Sequence, residues 1–217
     1  MKLKNFLNRL EYKYGKYAIH NLMPMLIGAM GIVFVADLML SPYFSLYNAF
    51  TFNRSAIFAG QIWRVLTFTV LPPSSSIIFI IFSLYFYYLI GTSLEREWGA
   101  LKFNIYYLIG ILGTIAAGFI SGYADNFYLN MSLFFAFAMF YPDFQVMLFF
   151  VLPVKIKWMA WLNAVLFAYL FIMGNWPARA SIIAALLNFL VFFGSDIISQ
   201  SKRIVERIKL KWRYRNR

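Results

Sequence analysis

The side chains of this chain that could act as nucleophiles have no base near them in the sequence. There is one histidine, His20, which precedes the first long apolar run, and there are no cysteines. The lack of cysteine excludes disulfides, thiolate metal sites and cysteine nucleophiles. A serine attacks efficiently only when a neighbouring base accepts its proton. Ser121 and Ser132 lie in apolar segments, and neither is close to a histidine or a lysine in the sequence. The sequence therefore favours binding over covalent catalysis.

The segments that must position these residues are typical of a bilayer protein. Hydrophobic residues make up 62% of the chain and charged residues 13%, which is unlike a water-soluble domain. A charged segment precedes the first apolar run, so we expect no cleavable signal peptide. The sequence predicts an all-α polytopic membrane protein with a six-transmembrane-helix bundle. The predicted spans are 22–42, 75–93, 102–122, 127–142, 156–173 and 177–198, of which the fourth and fifth are short or polar at their edges.

The formal net charge of +12 is distributed as the positive-inside rule describes. With both termini inside, all but three of the 20 Lys and Arg residues lie in the tails or the inner connections. The three others are Arg54, Arg64 and Arg179. We therefore predict an integral multi-pass protein with both termini in the cytoplasm, and no nucleic-acid partner. All six tryptophans lie at span ends or in flanking segments, like an aromatic belt; they are Trp63, Trp98, Trp158, Trp161, Trp176 and Trp212.

The chain divides into a basic amphipathic N-terminal tail at 1–20, a six-span domain at 21–198 and a basic amphipathic C-terminal tail at 199–217. In both tails, apolar residues recur at three-to-four spacing among basic ones, which predicts helices that lie on an anionic lipid surface. The alternative is a solvated tail whose charges only fix orientation. A cytosolic partner bound to the tails is a further possibility.

The first connection, about 43–74, is long and apolar, and its only charged residues are Arg54 and Arg64. Such a segment is poorly suited to bulk water. We expect short helices that enter the outer leaflet, with their backbone groups satisfied internally because lipid cannot satisfy them. Arg64 has five donors, so we expect it at the headgroup boundary or bonded to carbonyls of this connection. The alternative is a compact extracellular cap.

Four stretches resemble motifs of the rhomboid superfamily and occur in the same order. Residues 61–64 are similar to the Trp-Arg motif of the first rhomboid loop, and residues 94–99 to its Leu-Glu-x-x-Trp-Gly turn. Residues 140–142 and 152–158 resemble the stretches after its fourth span. The motif residues are Trp63, Arg64, Glu95, Trp98, Gly99, Pro142 and Pro153. Residues 83–88 are also similar to the derlins, the rhomboid branch without protease activity.

Each position at which a rhomboid protease performs chemistry is changed. By the resemblance, the degenerate catalytic positions are Ile77 and Ile81 for the His and Asn that hold the oxyanion, Phe127 for the nucleophile and Ser181 for the base. Asp125 and Tyr128 stand where glycines would flank the nucleophile. Isoleucine donates no hydrogen bond, and loss of one oxyanion donor typically costs about 100–1,000-fold in rate.

The resemblance implies a catalytically inactive pseudoprotease that binds transmembrane or misfolded membrane-protein clients, in membrane-protein quality control. Clients would enter between the second and fifth spans, where short spans and the apolar connection thin the bilayer and lower the cost of a polar client helix. By the same resemblance, Trp63 and Arg64 anchor the first loop, and Glu95 and Gly99 brace the inner turn. Membrane lipids are the other expected partners. No cofactor or metal is implied.

Two alternatives stay open. One is an active rhomboid-type serine protease with non-standard residues. The other is a small-solute carrier, in which polar residues inside the membrane would line the path of the solute. Here these residues are few, and interhelical hydrogen bonds explain the isolated asparagines; the set is Asp37, Asn104, Asn130, Asn163, Asn188 and Asp196. A bacterial inner membrane is the favoured residence, and the endoplasmic reticulum membrane is the other.

Overall fold

The computed structural model describes residues 2–40, 43–73, 76–148 and 152–194. The predicted C-terminal amphipathic helix at 199–217 and the end of the sixth predicted span lie outside the described residues. The helices are α1 Lys2–Tyr14, α2 Leu22–Leu40, α3 Leu46–Phe50, α4 Arg54–Phe58, α5 Arg64–Thr67, α6 Ile77–Trp98, α7 Ala100–Ser121, α8 Phe127–Phe140, α9 Ile156–Met173 and α10 Trp176–Gly194. Single 3-10 turns occupy Gly15–Tyr17 and Phe68–Val70.

Five of these helices, α2, α6, α7, α9 and α10, are long and apolar enough to cross a membrane. The protein is therefore an all-α polytopic membrane protein, as its composition predicts. Helix α8 has only 14 residues, which at 1.5 Å per residue extend about 21 Å, less than the roughly 30 Å of a hydrocarbon core. Helix α6 continues to Trp98, beyond the predicted end at 93, because the Leu-Glu-x-x-Trp-Gly segment is still helical.

The short helix α8 lies in the middle of the bundle. It packs on α6, α7 and α9, and the ring of Phe135 lies 6.0 Å from that of Phe189 on α10. A helix that is apolar on all sides has to be surrounded by other helices or by lipid. Here protein surrounds it, and its fully buried side chains are Leu129, Asn130, Ser132, Leu133, Phe134, Ala136 and Phe137.

Two small antiparallel sheets close the ends of the bundle. At one end, β1 Phe52–Asn53 pairs with β2 Tyr123–Ala124. At the other, β3 Gln145–Leu148 pairs with β4 Leu152–Lys155. We call the first of these the outer end and the second the inner end, after the orientation that the basic residues predict.

The β3–β4 hairpin was not predicted from the sequence, although two of the rhomboid-like stretches lie in and beside it. Pro153 argues against a strand because proline cannot donate to a ladder. In the structure Pro153 pairs with Met147, and a two-stranded sheet tolerates proline because each strand has a free edge. At the base of the hairpin, the Lys157 N–H donates to the Pro142 carbonyl at 3.0 Å. Asp143 adds ion pairs with Lys155 and Lys157 at 3.2 and 2.8 Å.

Candidate functional site

The first connection is folded around the carboxyl end of α3. Arg64 Nη1 donates to the carbonyl oxygens of Asn48 and Thr51 at 2.6 and 2.9 Å, and its Nε donates to Gln61 Oε1 at 2.6 Å. The last carbonyls of a helix have no partner within the helix, and a cation is favourable there. Of the two arrangements expected for Arg64, the headgroup boundary and bonding to carbonyls of this connection, these contacts show the second.

Two neighbours of Arg64 complete this arrangement. Trp63 Nε1 donates to the Ala49 carbonyl at 3.2 Å, and Thr67 Oγ1 donates to the Phe50 carbonyl at 3.0 Å. Side chains on one short stretch thus supply donors to the consecutive carbonyls of residues 48–51. Backbone groups satisfied in this way can be placed beside lipid, where water is not available to them.

The folded connection is also attached to the bundle. Asp37 Oδ1 on α2 accepts the N–H groups of Leu46 and Tyr47 at 2.7 and 3.2 Å. Asn126 Nδ2, just before α8, donates to the carbonyls of Thr69 and Leu71 at 3.2 and 2.9 Å. Sequence reasoning missed the role of Asn126. An Asn directly before an apolar helix indicates a helix N-cap, but the Asn126 side chain makes no cap hydrogen bond and bonds to the connection instead.

A phenylalanine from the connection fills a notch in α7. Phe52 is fully buried, and its ring packs edge-on to Phe68 and Phe119 at 6.1 and 5.2 Å between centroids. A Cβ atom at Gly118 would collide with this ring, so glycine is what permits the close approach. Other apolar side chains of the connection face away from the protein; they are Tyr43, Phe44, Phe58, Ile62 and Leu66.

At the inner end, the turn between α6 and α7 contacts the N-terminal tail. Glu95 Oε1 accepts the Asn21 N–H at 2.8 Å, just before α2. Gly99 has a φ of +86°, and a Cβ atom there would lie 2.5 Å from Glu11 Oε1. Helix α1 therefore lies against the beginning of α7. The Trp98 ring is partly buried and packs against the core, 5.1 Å from the ring of Tyr106.

Of the four degenerate catalytic positions, Ile77, Ile81, Phe127 and Ser181, only Ser181 lines the cavity at the outer end. Ser181 is buried and lines an open cavity of about 500 Å³ at the outer end, together with Asp125 and Tyr128. Ile77 and Ile81 are exposed on α6 and do not line this cavity. The remaining lining residues are Tyr123, Ala124, Leu170, Gly174, Asn175, Pro177 and Ala178. The cavity lies where α8 begins, between the β2–α8 turn and the junction of α9 and α10.

Phe127, at the position that corresponds to the nucleophile, does not line the cavity either. Its side chain is 46% exposed, and its ring packs edge-on to that of Tyr128 at 5.2 Å. Its backbone N–H donates to Asp125 Oδ1 at 3.0 Å. Position 127 therefore contributes the backbone at the start of α8, and the polar groups of the cavity come from its neighbours.

Asp125 is the charged group of this cavity. Burial raises the pKa of the Asp125 carboxyl, and the hydrogen bond from the Phe127 N–H partly offsets this. Among the residues that the structure describes, the ion pairs are those of Asp143 with two lysines, so Asp125 has no cationic partner there. Burial, and then the charge of Asp125, raises the pKa of the Tyr123 hydroxyl to about 12.

The serines weighed as nucleophiles are bonded to backbone oxygens. Ser121 Oγ donates to the Ala117 carbonyl at 2.7 Å, and Ser132 Oγ donates to the Leu129 carbonyl at 2.7 Å. In the described ranges neither hydroxyl has a hydrogen bond to a histidine, lysine or carboxylate. His20 is exposed beside the start of α2, at the inner end.

Helices α6 and α9 are both neighbours of α8. Helix α6 packs mainly on α2, α7 and α8, whereas α9 packs on α8 and β4. Helix α9 buries only Ile156 and Phe167 of its described side chains. Both helices present wide apolar faces away from the protein; those of α6 include Ile77, Ile78, Phe79 and Ile81, and those of α9 include Trp158, Trp161, Leu162, Val165 and Tyr169.

The groups at these places are apolar side chains, tyrosine and serine hydroxyls and one carboxyl. No group of three or more His, Cys, Asp or Glu residues that could hold a metal occurs in the described part of the chain. No protein-family model matches the chain, and no curated protein matches it. The apolar faces of α6 and α9 suit lipid or another transmembrane helix, and the outer cavity combines one carboxyl with tyrosine rings.

Proposed function

We propose that this chain is a six-span, catalytically inactive membrane protein of rhomboid-like fold, most similar to the derlins, that binds transmembrane segments or misfolded membrane-protein clients. The observation that carries the proposal is the pair of exposed apolar faces on α6 and α9 beside the short helix α8. A client helix placed there contacts both faces and replaces lipid without exposing backbone groups.

The lengths of α8 and α9 support a role for bilayer thinning. Helix α8 extends about 21 Å and the outward-facing α9, with 18 residues, about 27 Å, and both are shorter than a hydrocarbon core of roughly 30 Å. Because protein surrounds α8, lipid meets α9 and the other outer helices, and the bilayer there adapts to the shorter apolar height at a modest cost per ångström. A polar group in a client helix is less costly to hold where the hydrocarbon is thin. Misfolded or unassembled membrane segments often expose such groups, which makes them the favoured clients.

The first connection supports the same role from the outer side. Its carbonyls at 48–51 are satisfied by Trp63, Arg64 and Thr67, so it can enter the outer leaflet at little polar cost. Its outward-facing apolar side chains then displace lipid beside α2, on which α3 packs. The compact extracellular cap is the competing arrangement, and exposed Phe58 and Ile62, at 76% and 71%, disfavour it.

The proposal includes orientation and residence. Six crossings place both termini on one side, and the basic residues make that side cytoplasmic. The tails lie on anionic lipid, or hold a cytosolic partner in membrane-protein quality control. A bacterial inner membrane is favoured, and the endoplasmic reticulum membrane is the other candidate.

Crosslinking with a defined client tests the proposal. A photoreactive amino acid is placed at Ile81 on α6 or Val165 on α9, and the matched control carries it at Ile32 on α2, which is 73% exposed. Each variant is reconstituted with a transmembrane peptide of leucines that has one central asparagine. We expect capture at 81 and 165 several-fold above capture at 32. A peptide of leucines without the asparagine is the second control. Equal capture at all three positions, or equal capture of the asparagine peptide and the all-leucine peptide, contradicts the proposal.

A further inference from the structure

The outer cavity contains a charge that the protein leaves uncompensated. Asp125 lines a space of about 500 Å³ and uses Oδ1 to accept the Phe127 N–H at 3.0 Å. Within the described ranges it forms no ion pair. Taking a carboxylate out of water is costly unless a cation or several donors replace the water. A ligand that carries a positive charge supplies what this cavity lacks.

The rest of the lining narrows the kind of cation. Tyr123 and Tyr128 line the cavity together with Asp125, whose charge acts on both of their hydroxyls, and aromatic rings attract cations through their faces. The lining also includes Leu170, Pro177 and Ala178, which suits an alkyl chain. A charged head on an apolar stem has this combination of properties.

The hydrogen bonding of Asp125 favours an ammonium over a guanidinium group. Oδ1 is already occupied by a backbone N–H. A guanidinium pairs best when both carboxylate oxygens are free to accept in parallel. An ammonium is a compact charge that needs only one oxygen, and Ser181, buried at 4% exposure in the same lining, offers a second acceptor.

We propose that the cavity lined by Asp125, Tyr128 and Ser181 binds a primary alkylammonium group, supplied by a lysine that flanks a client transmembrane segment on the outer side. This rests on the proposed client binding for the source of the ammonium, but not for the site itself. Outer flanks of correctly oriented spans are poor in lysine, so an outer lysine distinguishes a client that is wrongly inserted.

The site is tested first with a small probe. The full chain is placed in nanodiscs of phosphatidylcholine and phosphatidylglycerol, which contain no primary amine, and its Tm is measured with hexylammonium or with hexanol. We expect hexylammonium, but not hexanol, to raise the Tm of the wild type. Asp125→Asn removes the charge and Ala178→Phe fills the cavity, so both should abolish the rise, whereas Asp143→Asn at the inner hairpin should keep it. A rise that hexanol reproduces, or that survives Asp125→Asn in a folded variant, overturns the site.

The source is tested with transmembrane peptides that differ only at one outer flanking residue, lysine or norleucine. We expect the wild type to bind the lysine peptide on the order of tenfold more tightly than the norleucine peptide. The Asp125→Asn variant should bind the two peptides equally. If hexylammonium binds but neither peptide is captured, the client proposal fails while the ammonium site stands. If both peptides bind equally and added phosphatidylethanolamine suppresses the hexylammonium effect, the lipid headgroup is the source and the client lysine is rejected.

Discussion

The Nη1 atom of Arg64 lies 2.6 Å from the carbonyl oxygen of Asn48, sixteen residues earlier in the chain. The same atom is 2.9 Å from the Thr51 carbonyl. One guanidinium therefore joins the end of α3 to the beginning of α5. The short helices of the first connection are too short to be stable alone, so contacts of this kind hold them in place.

Arg64→Ala should loosen the first connection without preventing membrane insertion. It removes three hydrogen bonds to a charged donor, each worth about 1.5–3 kcal/mol when buried and less where solvent reaches. Insertion depends on the spans and the inner basic residues. We expect faster amide exchange across α3 and weaker capture of a client peptide. Arg64→Lys should restore only part of both, because an ammonium lacks the planar fork.

Arg9→Ala is the control for the loss of one positive charge, because Arg9 is exposed on α1. If Arg64→Ala exchanges its α3 amides and captures clients as the wild type does, Arg64 is only a solvated charge. The hydrogen bonds of Arg64 around α3 would then not contribute to client binding.

A second prediction concerns the two glycines at the ends of α7. Gly99 and Gly122 have φ values of +86° and +95°, so alanine is strained at either. A Cβ atom at 99 meets Glu11, whereas one at 122 meets nothing within 4 Å. Gly99→Ala should therefore lower the free energy of unfolding more than Gly122→Ala, whose strain alone costs about 1–2 kcal/mol.

Glu11→Ala separates the two contributions at Gly99. In that background the collision is gone, so Gly99→Ala should cost less than in the wild type, but still more than Gly122→Ala, because Gly99 combines φ +86° with ψ 156°, a region essentially restricted to glycine, whereas Gly122 is left-handed helical. Thermal unfolding of the wild type, the two single variants and the double variant in one detergent gives the stability changes for a double-mutant cycle between Glu11 and Gly99. A cost of Gly99→Ala that does not change when Glu11 is replaced would mean that α1 does not rest on the α6–α7 turn in solution.

A third prediction follows from the two aspartates whose pKa values shift in opposite directions. Burial raises the pKa of Asp125, so the folded state disfavours its charged form, and stability is lost as pH rises from the ordinary Asp pKa of 3.8 through the folded value. Hydrogen bonds from Lys157 and Lys155 lower the pKa of Asp143, and that contribution is lost as pH falls through the folded value.

Asp125→Asn should therefore raise the Tm at neutral pH and have little effect at about pH 3, where the wild-type carboxyl is also neutral. The amide oxygen can still accept the Phe127 N–H. Asp143→Asn should behave in the opposite way, with a small loss at neutral pH, because its ion pairs are exposed. A Tm of Asp125→Asn below that of the wild type at neutral pH would show that a positive charge in the folded protein compensates the Asp125 carboxylate.

The sequence was sufficient for features that depend on local patterns. Apolar runs located the long helices, and the five donors of Arg64 pointed to carbonyls of its own connection as one of two possible surroundings. Gly99 stood out through its motif, and the structure shows the positive φ that requires it. Each of these follows from a residue type and its near neighbours.

Features that depend on distant pairs were not predictable in this way. Asn126 bonds to the Thr69 carbonyl, 57 residues away, and no local pattern selects that partner. The cavity at Asp125 needs the junction of α9 and α10, which sequence spacing does not bring close. Pro153 argued against predicting a strand at 152–155, because proline cannot donate to a sheet. Only the strand pairing shows that Pro153 can use the free edge of a two-stranded sheet, where no donor is needed.

A fourth prediction is catalytic silence. Ser121 and Ser132 donate to backbone carbonyls and have no base beside them in the described structure, and a serine without a base is a poor nucleophile. Protein reconstituted in liposomes should leave a general rhomboid substrate intact over hours, with Ser121→Ala and Ser132→Ala indistinguishable from the wild type. Cleavage that either substitution abolishes would establish a protease instead.

The last prediction is the orientation of the two ends. Every basic residue except Arg54, Arg64 and Arg179 falls on the side of the termini when the chain crosses six times, and short basic segments resist translocation. The chain has no cysteine, so single cysteines can be introduced without background. Cysteines at Tyr12 and at Asn216 should be protected from an impermeant reagent in intact cells, and a cysteine at Phe58 on the outer connection, which is 76% exposed, should be labelled in intact cells. Labelling of position 216 in intact cells, with position 12 protected, would mean five crossings. In that case α8 would not cross the membrane, and the apolar faces of α6 and α9 would not share one site.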